Sequence, residues 1–213
     1  MNRSPSITDY LRRAMAFHNA VVNDYPNGTY KSDKRNTLFM ALCDMTLEHH
    51  GAIVTLVKSG QHDGSALALM RPILETSLRA YWTLYCSGDE ELNGITADKR
   101  QFPGLDHCAQ KVEAHFANNN HSGIFLLDGN YVKQLHGLTH SGIEQLQSRI
   151  GSDLRVKPNY SDATITKLLQ QSTMWLAITC IAQLLLIEGE DAPQSNRFSK
   201  LYEDLFRTSA QDK

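Results

Sequence analysis

The chain has 213 residues, of which 41% are hydrophobic and 21% charged, as in an ordinary globular protein that can bury a substantial core. Its formal net charge of −2 argues against RNA or DNA binding driven by overall charge. The N-terminus lacks an apolar signal region, and the most apolar segment, residues 174–187, is too short and too polar to span a membrane. We therefore expect a soluble, cytoplasmic protein.

Two helices are predicted in the N-terminal part of the chain. Apolar residues recur at helical spacing over residues 7–22, which predicts a first helix that ends before Pro26. A second, long helix is predicted over about residues 32–58, and Gly60 ends it.

The third predicted helix, residues 65–88, contains a proline. Pro72 has no backbone N–H, so it should kink the helix and free the carbonyl of Ala68 just before Arg71. Arg71 and Glu75 lie four residues apart in the apolar stretch 71-RPILE-75. Such a pair either reaches the surface, where it contributes about a few tenths of a kcal/mol, or is buried and needs further polar partners.

The remaining segments are also helical. A short helix and a loop are predicted over residues 89–104, a helix over 105–116, a core helix over about 163–188, and a last helix that Asn196 caps. Because no segment alternates as a strand does, we predict an all-α fold: a bundle of four or five long helices with short accessory helices.

We predict that residues 1–213 form a single helical domain. Residues 1–26 would be its N-terminal helix, about 32–190 its core, and 195–208 its C-terminal helix.

The stretch 131-YVKQLHGLTHSGIEQL-146 contains two histidines four residues apart, His136 and His140. Zinc proteases with this spacing carry a glutamate beside the first histidine, but Gly137 stands there, which excludes that chemistry. Residues 141-SGIE-144 have the pattern of a capping box, so one helix should end near His140 and another begin at Ser141. Such a junction favours a neutral imidazole and a bound anion.

A second pair of histidines, His49 and His50, lies on the second predicted helix. Adjacent helical residues point about 100° apart, so at most one of the two faces the core. Together with His136 and His140, His50 would supply three imidazoles for a metal ion. That set is similar to the ligands of DinB/YfiT-type helical metal proteins, which combine one histidine from an early helix with a later HxxxH pair.

We expect no cofactor, because no phosphate loop, dinucleotide fingerprint or nucleophile elbow is present. The HEPN superfamily of helical RNases uses an arginine and a later histidine with four to six residues between them. Arg13 with His18 and Arg100 with His107 fit that spacing, but matches of this kind are expected by chance at this arginine and histidine content.

Residues 47–82, 138–150 and 157–160 together resemble an uncharacterised family of bacterial helical proteins with the ordered pattern EHH…RPxxE…THxG…PNY. The resemblance spans about residues 35–190. It implies a fold related to HEPN-like and abortive-infection-type proteins, some of which act in phage defence, although the HEPN motif is not among the matched positions. The matched positions are His50, Arg71, Glu75, Arg79, His140, Gly142 and Arg149.

Three functional hypotheses follow. In the first, a polar pocket of Arg71, Glu75, His140 and His50, with Arg79 and Arg149, binds an anionic ligand in a binding or regulatory role, with phage defence as the expected setting. In the second, Arg71 and His140 are the catalytic residues of a metal-independent RNase-type enzyme or toxin. In the third, His50, His136 and His140 bind a metal. We also expect a homodimer and a protein partner encoded by a neighbouring gene.

Overall fold

The computed structural model describes residues 3–23, 30–97, 101–117, 129–140, 142, 146–150, 160–189 and 193–206. Within these ranges the chain forms nine α-helices and no β-strand, which confirms the predicted all-α fold. The predicted Ser141–Glu144 capping box and most of the 157–160 motif lie outside the described residues. The helices are α1 (Pro5–Asn23), α2 (Lys34–Ser59), α3 (Asp63–Ala68), α4 (Met70–Tyr85), α5 (Asp89–Thr96), α6 (Leu105–Ala117), α7 (Gly129–Thr139), α8 (Asp162–Glu188) and α9 (Pro193–Phe206).

The ends of α2 follow from its capping residues. A carboxylate oxygen of Asp33 accepts a hydrogen bond from the backbone N–H of Asn36 at 2.9 Å. At the other end Gly60 adopts a left-handed conformation, with φ of 75°, and its N–H donates to the carbonyl of Val57. The predicted end of this helix at Gly60 is confirmed.

The predicted helix over residues 65–88 is divided into α3 and α4 at Leu69. Pro72 is the third residue of α4, where it cannot donate to the carbonyl of Ala68. That carbonyl lies 3.2 Å from the hydroxyl oxygen of Thr139, which is on α7. The predicted kink is thus a break between two helices, and the freed carbonyl binds a side chain from elsewhere in the chain.

The last helix begins earlier than predicted. α9 starts at Pro193 rather than at a cap formed by Asn196, which lies one turn inside the helix. Proline is favoured at the first helical position because its fixed φ suits the helix and its missing N–H has no intrahelical partner there.

The long helix α8 lies at the centre of the bundle and packs against α1, α2, α4 and α9. Buried hydroxyl groups join it to α4: Tyr81 donates to the carbonyl of Ile178 at 2.7 Å, and Thr179 lies 3.2 Å from the hydroxyl of Ser77. Because buried polar groups need partners, these bonds favour one alignment of the two helices.

α8 is long and apolar enough to cross a membrane when judged by length and composition alone, and 56% of its most apolar stretch is buried against the rest of the protein. The core helix of a soluble protein meets the same criterion, so this property does not assign a location.

A chain of hydrogen bonds between α1, α2 and α8 passes through two histidines. The hydroxyl of Thr173 donates to the carbonyl of Leu169 at 2.7 Å, so Nε2 of His50 must donate to Thr173, 3.0 Å away. The neutral ring of His50 then accepts from Nδ1 of His18 at 3.2 Å. Both ring nitrogens of the fully buried His50 are therefore satisfied inside the core.

Burial, together with the neighbouring His18, lowers the pKa of His50 to about 3. In the unfolded chain the same imidazole has its usual pKa of about 6.5. The unfolded state therefore binds more protons between these two values, and stability must fall as the pH drops from about 6.5 towards about 3.

We predict that the His50→Gln substitution flattens the dependence of the free energy of unfolding on pH. Glutamine keeps a donor and an acceptor but does not titrate, so a slope of up to about 1.4 kcal/mol per pH unit is removed. Urea unfolding at a series of pH values between about 4.5 and 7 measures this slope. Burial also lowers the pKa values of His18 and His49, so a smaller slope remains.

His107→Gln, at an exposed histidine, is the matched control and keeps the full slope. An unchanged slope in His50→Gln contradicts the prediction.

Candidate functional site

Three charged side chains form a ladder along one face of α4. Nε of Arg71 donates to one carboxylate oxygen of Glu75 at 2.8 Å, and Nη1 of Arg79 lies 3.4 Å from the other. The side chains of Arg71, Arg79 and Glu75 are 21%, 29% and 22% exposed. The ladder is therefore partly buried, and its exposure is intermediate between the two alternatives left open by the sequence, a surface pair and a buried cluster. One carboxylate shared by two guanidinium groups leaves a net charge of +1.

The two arginines of the ladder differ in their surroundings. The guanidinium carbon of Arg79 lies 5.4 Å from the centre of the Phe102 ring, which is a cation–π distance. Phe102 in turn packs edge-on against the buried Trp82. Arg79 is thus held against an aromatic wall, whereas Arg71 points towards α7.

Arg71 contacts a histidine on α7. Its Nη1 lies 2.6 Å from Nδ1 of His136. Because arginine has only donors, Nδ1 must be the acceptor, so His136 is neutral there and carries its proton on Nε2. Glu75 and His136 are therefore bound to one guanidinium group from two sides.

His140 extends the site but does not touch Arg71 directly. Its ring lies 4.4 Å from the His136 ring, centre to centre, and both rings are exposed. α7 ends at Thr139, and the N–H of Gly142 donates to the carbonyl of Gly137 at 2.7 Å. The helix ends near His140 as predicted, and the i, i+4 arrangement of the two imidazoles is still present.

Two contacts hold α7 against the break between α3 and α4. The hydroxyl of Thr139 shares its proton between the carbonyls of Leu135, at 2.8 Å, and Ala68, at 3.2 Å. The side chain of Leu135 is buried in the main hydrophobic core. Together they place His136 beside Arg71, because His136 follows Leu135 and precedes Thr139 by one helical turn.

His50 does not join this site, which corrects the predicted pocket. Its two ring nitrogens are bound to His18 and Thr173 in the core. The histidine that contacts Arg71 is His136, which the sequence hypothesis placed only in the alternative metal set. The sequence holds no local signal for this contact, because the docking of Thr139 on Ala68, one turn from His136, is a contact between distant segments.

Arg149 also lies elsewhere. Its Nη2 would be 2.9 Å from a Cβ atom added at Gly64, and the phenol oxygen of Tyr160 would be 2.5 Å from the same position. Both side chains therefore cover the first turn of α3. The missing side chain of Gly64 is what allows this close approach.

The three histidines of the predicted metal site do not come together. His136 and His140 are neighbours at the surface, whereas His50 faces α1 and α8. In the part of the chain that the structure describes, no group of three or more His, Cys, Asp or Glu side chains is arranged to hold a metal ion.

The sequence pattern of DUF6988, described as a family of unknown function, matches residues 43–208. The match includes the whole α4 ladder and α7, and it leaves α1 with His18 outside. Searches of the curated proteins and of the solved structures found no match.

We predict that Gly64→Ala destabilises the protein by up to about 2 kcal/mol. The added methyl group would overlap with the phenol of Tyr160, at a cost of about 1–3 kcal/mol, and the better helix propensity of alanine offsets about 1 kcal/mol of it. Urea unfolding measures the difference. The same substitution in a Tyr160→Ala background is the control, because the overlap with the phenol is then absent and the loss of stability should be smaller. Equal losses in the two backgrounds would contradict the packing of Tyr160 on Gly64.

Proposed function

We propose that this chain, which belongs to the DUF6988 family of unknown function, binds the anionic group of a ligand at a surface formed by Arg71, His136 and His140. The observation that carries the proposal is the contact of Arg71 with His136, which places a guanidinium group and two exposed imidazoles at one point. We call these three residues the anion surface.

The charge beside the anion surface favours a phosphate or carboxylate group. The α4 ladder, to which Arg71 belongs, has a net charge of +1. Arg71 uses Nε and one N–H of Nη1 for Glu75 and His136, which leaves three of its five N–H groups for a ligand. Two parallel N–H groups of arginine match two oxygens of an oxyanion, and such charge-assisted bonds are about twice as strong as neutral ones.

Glu75 and His136 also orient the site. Glu75 restrains the guanidinium from one side, so less side-chain entropy is lost when a ligand binds. Because His136 accepts from Arg71 at Nδ1, its exposed ring offers Nε2–H as a further donor. Arg71 and His136 therefore present donors of the kind that an oxyanion requires.

A binding experiment tests this proposal. Isothermal titration calorimetry with inorganic phosphate and with adenosine 5′-monophosphate should show saturable binding to the wild-type protein. Arg71→Gln removes the charge and the paired donors, so affinity should fall about tenfold or more. Arg12→Gln is the matched control, because Arg12 is an exposed arginine on α1 with a carboxylate partner three residues away, and its affinity should be unchanged.

Failure takes one of two forms. The proposal is wrong if neither probe binds the wild-type protein, or if Arg71→Gln binds phosphate as well as Arg12→Gln does. Far-UV circular dichroism and urea unfolding of both variants separate a lost donor from a lost fold.

A metal-independent RNase is the second candidate, and the paired imidazoles favour it. Two histidines 4.4 Å apart beside an arginine offer a general base, a general acid and a cation for the phosphate. If this candidate is right, the wild-type protein cleaves a single-stranded RNA in the presence of EDTA, and both His136→Asn and His140→Asn lose the cleavage. That result would show that the site is catalytic and does not only bind. Uncut RNA with wild-type protein rejects this candidate.

The location, the oligomeric state and the protein partner remain predictions from the sequence. We propose a binding or regulatory component located in the cytoplasm, acting as a homodimer with a partner encoded by a neighbouring gene. The link to HEPN-like and abortive-infection proteins, and through them to phage defence, is supported only by the sequence resemblance.

A further inference from the structure

A buried hydroxyl group above the first turn of α3 lacks a partner. The phenol oxygen of Tyr160 lies 2.5 Å from the position that a Cβ atom would take on Gly64, and it has no hydrogen-bond partner among the described residues. A buried polar group without a bond destabilises the fold, so such groups commonly mark the place of a water molecule, an ion or a ligand. This hydroxyl therefore points to a second binding site.

The guanidinium group of Arg149 lies beside the same hydroxyl. Its Nη2 is 2.9 Å from the Cβ position of Gly64, to which the hydroxyl of Tyr160 is 2.5 Å. These are also the lengths of charge-assisted bonds from N–H and O–H groups to an anionic oxygen, about 2.7–2.9 Å and 2.5–2.7 Å. An oxygen at the same two distances, on the side away from Gly64, can therefore accept a bond from both residues.

The two acidic residues closest in sequence to this position act on Arg3. Asp63, the first residue of α3, binds Arg3 through both of its carboxylate oxygens, at 2.5 and 2.8 Å. The hydrogen bond from Asp63, and then the charge of Asp162 at the start of α8, raise the pKa of Arg3. No ion pair joins either of these described carboxylates to Arg149, so the charge of Arg149 remains available to an anion.

Gly64 and Arg71 lie on the same face of the segment that α3 and α4 form. Gly64, Ala68 and Arg71 have the i, i+4, i+7 spacing of one helix face. Leu69, at the break, keeps a right-handed conformation, with φ of −75° and ψ of −10°, so the helical direction continues past it. At a rise of about 1.5 Å per residue, Gly64 and Arg71 are roughly 10 Å apart along this face.

α7 runs antiparallel to this segment and points towards the start of α3. His136 lies beside Arg71, whereas Thr139, later in α7, bonds to the carbonyl of Ala68, earlier in the segment. His140 follows His136 by one turn in the same direction, and its exposed ring is 4.4 Å from the His136 ring. An exposed imidazole therefore lies on the path from Arg71 to the start of α3.

We propose that the ligand of the anion surface carries two anionic groups roughly 10 Å apart. Arg71 and His136 bind one group, and Arg149 and Tyr160 bind the other above Gly64. The Tyr160 hydroxyl is covered, so the long Arg149 side chain shifts outward to admit the second group. Because the first group binds at the anion surface, this second site rests on the proposed function.

Bisphosphates of different length test the spacing. The probes are the terminal bisphosphates of propanediol, hexanediol and decanediol, and hexyl phosphate is the reference with one anionic group. Once the first group is bound, the second binds at a high effective concentration, and the gain is largest when the chain matches the distance between the sites. The extended hexanediol compound spans this distance, and the propanediol compound is too short.

Calorimetric titration of the wild-type protein measures the gain. Hexanediol bisphosphate should bind about tenfold or more tightly than hexyl phosphate. Decanediol bisphosphate should show a smaller gain, because its longer chain lowers the effective concentration, and propanediol bisphosphate should show little gain.

Two variants test the residues of the second site. Arg149→Gln should lower the affinity for hexanediol bisphosphate to that for hexyl phosphate and leave the binding of hexyl phosphate unchanged. Tyr160→Phe should lower the gain by about threefold or more without loss of stability in urea unfolding, because it removes an unpaired buried hydroxyl. Arg12→Gln, at an exposed arginine on α1, is the matched control and should keep the whole gain.

The outcomes distinguish the second site from the anion surface. If hexyl phosphate does not bind, the proposed function is wrong and the second site with it. If hexyl phosphate binds but the bisphosphates gain nothing, or gain equally at all three lengths, the second site alone is wrong. A gain that survives in Arg149→Gln also overturns the second site. Should Arg149→Gln not fold, Tyr160→Phe decides, and an undiminished gain in that variant overturns the site.

Discussion

The missing backbone N–H of Pro72 is the constraint on which the position of α7, and with it the anion surface, depends. Without that donor the carbonyl of Ala68 has no helical partner, and a buried or half-buried carbonyl left alone costs about 1–3 kcal/mol. The hydroxyl of Thr139 lies close enough to supply the bond. The same missing N–H therefore accounts for the break in the helix and for the free carbonyl that binds α7. With α7 docked there, His136 lies beside Arg71.

Electrostatic balance explains how charged residues persist in so apolar a helix. Glu75 gives one carboxylate oxygen to Arg71 and the other to Arg79, so none of the three charges is left without a partner. Arg79 packs against the Phe102 ring, and its buried Nε has no hydrogen-bond partner among the described residues. Arg71 differs because His136 contacts its guanidinium group, and this contact distinguishes the end of the ladder that we assign to binding.

A strongly shifted pKa does not by itself mark the functional site in this protein. The most perturbed histidine is His50, and both of its ring nitrogens have partners in the core. Its low pKa reports burial rather than chemistry, since desolvation penalises the charged imidazole. The contact of Arg71 with the exposed His136, beside His140, carries the binding proposal instead.

Much of the fold was predictable from the sequence, because it depends on local rules. Helical spacing gave the all-α class, Gly60 the end of α2, and Pro72 the interruption that frees the carbonyl of Ala68. The i, i+4 spacing also made Arg71 and Glu75 a pair. These features concern residues within about two helical turns of each other, where backbone geometry alone sets the distance.

Only the tertiary structure decided which distant side chains meet. The sequence pairs Arg71 with His140 and His50 equally well, but α7 docks with His136 facing Arg71, and His50 turns towards Thr173. The spacing of residues along a helix determines which of them lie on the same face. It does not determine which face of another helix packs against them. That choice comes from packing, since each helix turns until its apolar side chains are buried and its free backbone groups are bonded.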